Sequence, residues 1–99
     1  MPDHQITVTD NATAHQYEAR VDGQLARLVY ERRGDTIVLA HAETPPSISG
    51  RGIASRIARF ALDDARARQL RVIARCPFVR AYVERHPEYR DLVAGARTG

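Results

Sequence analysis

A chain of 99 residues is long enough for one modest core and too short for two. Its 43% apolar content suits a globular domain, and no apolar run is long enough to span a bilayer. The net charge is +3, every basic residue is arginine, and only Arg32 and Arg33 are adjacent. That scatter, with acids in between, argues against a nucleic-acid-binding stripe. One cysteine cannot close an intramolecular disulfide, and the opening Met-Pro-Asp-His-Gln lacks the basic and apolar regions of a signal peptide. A cytoplasmic protein is the expectation.

Gln5 to Thr9 alternates, Ile6 and Val8 against Thr7 and Thr9, and reads as a first strand closed by an Asp10-Asn11 turn. Gln16 to Val21 alternates too, with Tyr17, Ala19 and Val21 on one face. Asp22-Gly23 is a preferred pair for a two-residue hairpin, because both positions need positive φ. The return strand, Gln24 to Glu31, puts Ala26, Leu28 and Tyr30 on one face, and Arg33-Gly34-Asp35 reverses the chain again. Thr36 to Glu43 is the third strand of the meander. Its Ile37-Val38-Leu39-Ala40 run is apolar on both faces, as in a strand covered on both sides. Pro45-Pro46 ends it, since proline cannot donate to a ladder.

A helix follows from about Gly52 to about Gln69. Ile53, Ile57, Phe60, Ala61 and Ala65 form its apolar stripe, with Ala54, Ala58 and Leu62 beside it. Arg59–Asp63 and Asp64–Arg68 are i,i+4 pairs of opposite charge. Leu70 to Cys76 is a strand expected to run parallel to the one before the helix, because a strand–helix–strand unit makes a crossover. Pro77 opens a second helix, Phe78 to about Arg85, which His86-Pro87 breaks. Glu88 to Ala94 forms a last short turn, and about residues 95–99 fray. The predicted fold class is α+β: one domain over residues 1–99, with an antiparallel meander feeding one parallel crossover.

The segment Ser49-Gly50-Arg51-Gly52-Ile53-Ala54-Ser55-Arg56 joins strand to helix. Glycines there let backbone N–H groups approach an anion, and the helix dipole favours negative charge. Arg51 and Arg56 add positive charge. An ordinary αβ connection with two glycines is the alternative that spacing leaves open.

Gly50-Arg51-Gly52-Ile53-Ala54, after a strand ending His41-Ala42-Glu43-Thr44-Pro45, resembles the acyl-coenzyme-A loop of the GNAT acetyltransferase superfamily. Ser49 stands where that loop carries Gln or Arg, and Arg51 could substitute for the missing contact. The later block Cys76-Pro77-Phe78-Val79, Tyr82 and His86-Pro87-Glu88-Tyr89 extends the resemblance to small single-domain members, over roughly Tyr17 to Val93. The resemblance implies a GNAT-like mixed sheet and acetyl-CoA or another acyl-CoA as cosubstrate, held by Ser49 to Arg56. It implies no metal, and the pantetheine arm would lie between the His41 and Cys76 strands, which splay apart in this superfamily.

His41 and Glu43, two apart on a strand, point to one face. Acyl transfer to an amine needs a base, and either imidazole or carboxylate can serve. Structural roles at a strand end are the alternative. Cys76 precedes a helix N-terminus, where the dipole would favour a thiolate able to carry the acyl group; burial as a small apolar residue is the alternative. Tyr82 inherits from the resemblance the protonation of the leaving CoA thiolate, against simple packing on Phe78. The expected activity is N-acyl transfer to a protein, polyamine or small amine, with a homodimer as one way to complete the acceptor pocket. A non-catalytic acyl-CoA-binding or protein-interaction module is the competing reading. The arginine content alone would suggest nucleic acid, and the four histidines and one cysteine show no metal-ligand spacing.

Overall fold

The computed structural model describes residues 6–93. Five strands form one mixed sheet in the order β1-β2-β3-β4-β5. They are β1 (Val8–Asn11), β2 (Gln16–Val21), β3 (Gln24–Arg33), β4 (Thr36–Glu43) and β5 (Arg71–Ala74). The first four pair antiparallel in sequence, and β5 adds to β4 in parallel. Between β4 and β5 runs helix α1 (Ile53–Ala67), and α2 (Pro77–Arg85) follows β5. This is the predicted α+β order.

The turn chemistry sets the registers. Asp22 and Gly23 adopt φ of 52° and 75°, so the hairpin pairs Val21 with Gln24 and Glu18 with Arg27. The chain start departs from expectation. β1 begins at Val8 and includes Asp10 and Asn11, where a turn was expected; Gln5, the expected start, lies outside the described residues. The reversal comes three residues later. Asn11 accepts a bond from the Ala14 backbone, and a 3₁₀ turn over Ala12–Ala14 ends at left-handed His15. Asn11 is thus both a strand residue and a turn cap, which alternation alone does not reveal. β5 is also shorter than the predicted Leu70–Cys76. The expected tail beyond Val93 lies outside the described residues.

The core lies between one sheet face and the helices. Tyr17, Ala26, Leu28, Ile37, Leu39 and Val72 pack against Ile57, Ala61, Leu62 and Ala65 of α1 and Val79 and Val83 of α2. The helical stripe is rotated from its predicted centre. Ala58 and Leu62 are buried, whereas Phe60 is 38% exposed and meets Tyr17 edge-on at 5.8 Å. Three core tyrosines direct their hydroxyls to carboxylates on the rim: Tyr17 to Asp64 at 2.9 Å, Tyr30 to Asp10 at 2.6 Å and Tyr89 to Asp63 at 2.6 Å. Burial, then the adjoining acid, pushes all three phenols up, Tyr30 and Tyr89 to about 12. The predicted α1 pairs form as well, Arg59–Asp63 at 3.8 Å and Arg68–Asp64 at 3.2 Å.

Candidate functional site

β4 is the strand that opens the site. Its parallel ladder with β5 ends at the Leu39–Ala74 pair. The Leu39 carbonyl then accepts from both Arg75 N and Cys76 N, at 3.0 and 2.9 Å, as the chain turns away into α2. β4 itself continues to Glu43, paired only to β3. A gap therefore opens between Ala40–Glu43 and the start of α2.

A β-bulge decides what faces that gap. Leu39 pairs with Tyr30 and His41 with Val29, so Ala40 is an extra residue on β4. Ile37 and Leu39 face the core. Without the bulge, His41 and Glu43 would continue on their face; the added residue turns both to the opposite, open face. Ala42, which now pairs with Leu28, faces inward instead. A crevice of about 10 Å³ sits on that inner side, lined by Leu28, Ala42, Ala54, Ile57, Phe78 and Val79 among others.

The loop from Ser49 to Arg56 borders the same end of α1. Gly50 and Gly52 have φ of 84° and 75°, and a Cβ added to either would meet nothing within 4 Å. Left-handed backbone and open space above it are what a closely held anion requires. Gly52 is the N-cap and offers no side chain, there is no acid in the first turn, and the first helical bond runs from Arg56 N to the Gly52 carbonyl. The N–H groups of Ile53, Ala54 and Ser55 are the donors that helix geometry leaves without an intrahelical acceptor. Two flanking residues have partners within the chain. Ser49 Oγ donates back to the Pro46 carbonyl at 3.1 Å, and Arg51 pairs with Asp22 of the hairpin at 2.9 Å. Arg51 therefore ties the loop to the β2–β3 turn, while Arg56 lies exposed on the first turn of α1.

On the open face, His41 Nε2 lies 2.9 Å from Glu43 Oε2. Arg27 closes on the other oxygen of Glu43 with Nε at 2.9 Å and Nη2 at 2.7 Å. The hydrogen bond from His41, then that from Arg27, holds the Glu43 carboxyl below the usual range. Arg27 also reaches Gln16 at 3.5 Å. Gln16 donates to Glu18 at 2.6 Å, and Asn11 donates to the same oxygen at 2.9 Å. A polar row thus crosses four strands. His41 and Glu43 stand together as expected. Arg27 and Gln16 are additions that the sequence reading did not name.

Cys76 is the N-cap of α2 and is 3% exposed within the core cluster. Among the described residues, no hydrogen bond joins it to His41. Tyr82 is buried in α2, stacked on His86 at 4.0 Å, and burial pushes its phenol up. No group of three or more His, Cys, Asp or Glu among the described residues is placed to hold a metal. No helix among them is long and apolar enough to cross a membrane.

A mixed sheet that parts between β4 and β5, beside an uncapped glycine-bearing helix start, defines a domain of the N-acetyltransferase type. The GCN5-related N-acetyl-transferase family matches residues 16–92, and the chain belongs to that family. Protein NATD1 of Xenopus tropicalis is 33% identical over 89 residues, covering 87% of this chain and 82% of the relative. Protein NATD1 of Mus musculus is 35% identical over 85 residues, covering 83% and 77%. The solution structure of a GCN5-like protein from Staphylococcus aureus superposes with a TM-score of 0.70 over 99% of this chain and 95% of that one; at 21% identity the likeness is one of fold.

Proposed function

We propose that the protein is an acyl-CoA-dependent N-acyltransferase that moves an acetyl group from acetyl-CoA to an amine in the cytoplasm. One observation supports this reading: Ala42 of β4, Ala54 at the start of α1 and Phe78 of α2 line one crevice where the β4–β5 ladder ends, with the His41–Glu43 pair on the other face of β4. The Ile53–Ser55 N–H groups would hold the pyrophosphate, each favourable charge near a helix start contributing about 0.3–1 kcal/mol. The pantetheine arm would lie along the β4–β5 gap, past Ala42, Ala54 and Phe78.

The acceptor amine, from a protein, a polyamine or a small molecule, would approach from the open face. Its nitrogen attacks the thioester carbonyl, a C–N bond forms and the C–S bond breaks. His41 takes the amine proton, and the CoA thiolate leaves to be protonated. Burial keeps the Tyr82 hydroxyl protonated and so able to supply that proton. Both oxygens of Glu43 are engaged and its carboxyl is held ionised, which leaves His41 as the base. Cys76 is buried with no base bonded to it, so direct transfer fits better than an acyl-cysteine. A second copy of the chain is one candidate to complete the acceptor pocket.

The test is release of free CoA from acetyl-CoA with a panel of polyamines, lysine peptides and small amines. Turnover with at least one acceptor, lost in His41→Ala, is expected. Binding of acetyl-CoA without turnover on any acceptor would select the non-catalytic module instead. An added acetyl mass on the intact protein, absent in Cys76→Ala, would restore the acyl-cysteine route.

A further inference from the structure

We propose that His41 works through Nδ1, with Glu43 and Arg27 as positioning residues that fix its Nε2–H tautomer. The inference rests on His41 being the base, and it adds which nitrogen acts and what holds it. Nε2 lies 2.9 Å from Glu43 Oε2. An ionised carboxylate only accepts, so the proton of that bond belongs to Nε2. In the neutral ring the lone pair is then on Nδ1, the nitrogen that can take a proton from an attacking amine.

Arg27 makes this arrangement specific. It binds Oε1 twice, so Glu43 presents only Oε2 to the ring. It also offsets the negative charge of Glu43 with its own positive charge. Gln16, 7% exposed, fixes Arg27 from β2, and Glu18 fixes Gln16. The charged group bonded to His41 is Glu43 on its own strand, with Arg27 on β3 bonded to Glu43 and Glu18 behind them on β2; Arg75, exposed, follows β5 where its backbone N–H donates to the Leu39 carbonyl. Its direct partner on β3 is Val29, and β5 has no residue in register with it. When Nδ1 accepts the amine proton, the ring becomes an imidazolium beside Glu43, and the charge formed in the transfer is met by a carboxylate already in place.

Ring nitrogen spectra of the full-length, ¹⁵N-labelled protein test the tautomer, with His41 assigned by its loss in His41→Gln. At a pH where the ring is neutral, Nε2 should give the protonated-type shift and Nδ1 the unprotonated-type shift. The reverse pattern, or a fast-averaged one, overturns the inference. This reading needs no turnover, so a protein that acetylates nothing would defeat the proposed function while leaving the tautomer decided separately. In Arg27→Gln the two His41 ring-nitrogen shifts should move toward an averaged value, because Glu43 is then less firmly held against Nε2, and with turnover the KM for acetyl-CoA should stay unchanged. Arg27→Lys should restore most of the Nε2–H signature. A role of Arg27 confined to folding would lower activity and leave the His41 ring shifts of the variant unmoved, and that result would also contradict the assignment.

Discussion

The two halves of β4 differ in almost every physical respect. From Thr36 to Leu39 the strand is bonded on both sides, and Ile37, Val38 and Leu39 are all but fully buried. From Ala40 to Glu43 it has a partner on β3 only, and His41 and Glu43 are exposed. The first half is scaffold. The second is an edge in the middle of a domain, made by ending the parallel ladder early rather than by placing a strand at the rim. Exposed strand edges are usually blunted by charge or cover. Here the edge carries His41 and runs beside the start of α2, so its unpaired backbone borders the proposed site.

Substitutions can separate the halves. The largest expected effect is His41→Ala in the second half. Amine acetylation should fall by about 10²- to 10⁴-fold, the usual contribution of general base catalysis, with thermal stability nearly unchanged. Equal loss of activity and stability would mean the halves are not distinct. Leu39→Ala in the first half should do the converse and cost about 2–5 kcal/mol in urea unfolding, because it opens a cavity under α1. Asp64→Ala reaches the core more gently. It leaves the Tyr17 hydroxyl without its acceptor, for about 1–3 kcal/mol, and should lower the tyrosinate midpoint that Asp64 now helps to raise.

The smallest effect is Glu43→Gln read against pH. The Glu43 carboxyl is depressed in the folded protein, so its contribution is present above the unfolded value of about 4.3. It is lost as pH falls through the folded value. Wild type should therefore melt slightly above the variant at neutral pH, and the difference should begin to shrink as pH falls below about 4.3 and vanish below the folded value. A difference that persists there would mean that Glu43 supports the fold by something other than its charge.

Much of the scaffold was legible because local chemistry dictates it. Asp22-Gly23 fixes the first hairpin, Pro45-Pro46 ends β4, and Pro77 starts α2. The glycine-bearing turn into α1 was legible through its glycines and its neighbours in sequence. The polar row was not. Glu18 opposite Arg27 follows from the hairpin, since Val21 pairs with Gln24. Arg27 opposite Glu43 does not, because unbroken pairing from Arg33–Thr36 would place Arg27 opposite Ala42. The bulge at Ala40 supplies the missing residue, and nothing in Leu39-Ala40-His41 announces it. The same bulge turns His41 and Glu43 outward, so the face of the proposed base was set by a feature that side-chain alternation cannot express. Phe60 was misplaced for a simpler reason. Helical periodicity gives an angle but not the centre of the buried arc, and Tyr17 sets that centre from the sheet by meeting Phe60 edge-on and donating to Asp64 of α1.

The claim at the centre of this account is that the open half of β4 and the start of α1 form one acyl-CoA site. Titration of acetyl-CoA into ¹⁵N-labelled protein tests it most directly. The account predicts saturable binding of one acetyl-CoA per chain, with the largest amide shifts in Gly50 to Arg56 and in Ala42 and Phe78, and weaker binding to Gly52→Val. Absence of binding, or shifts centred elsewhere with this loop unmoved, would contradict it.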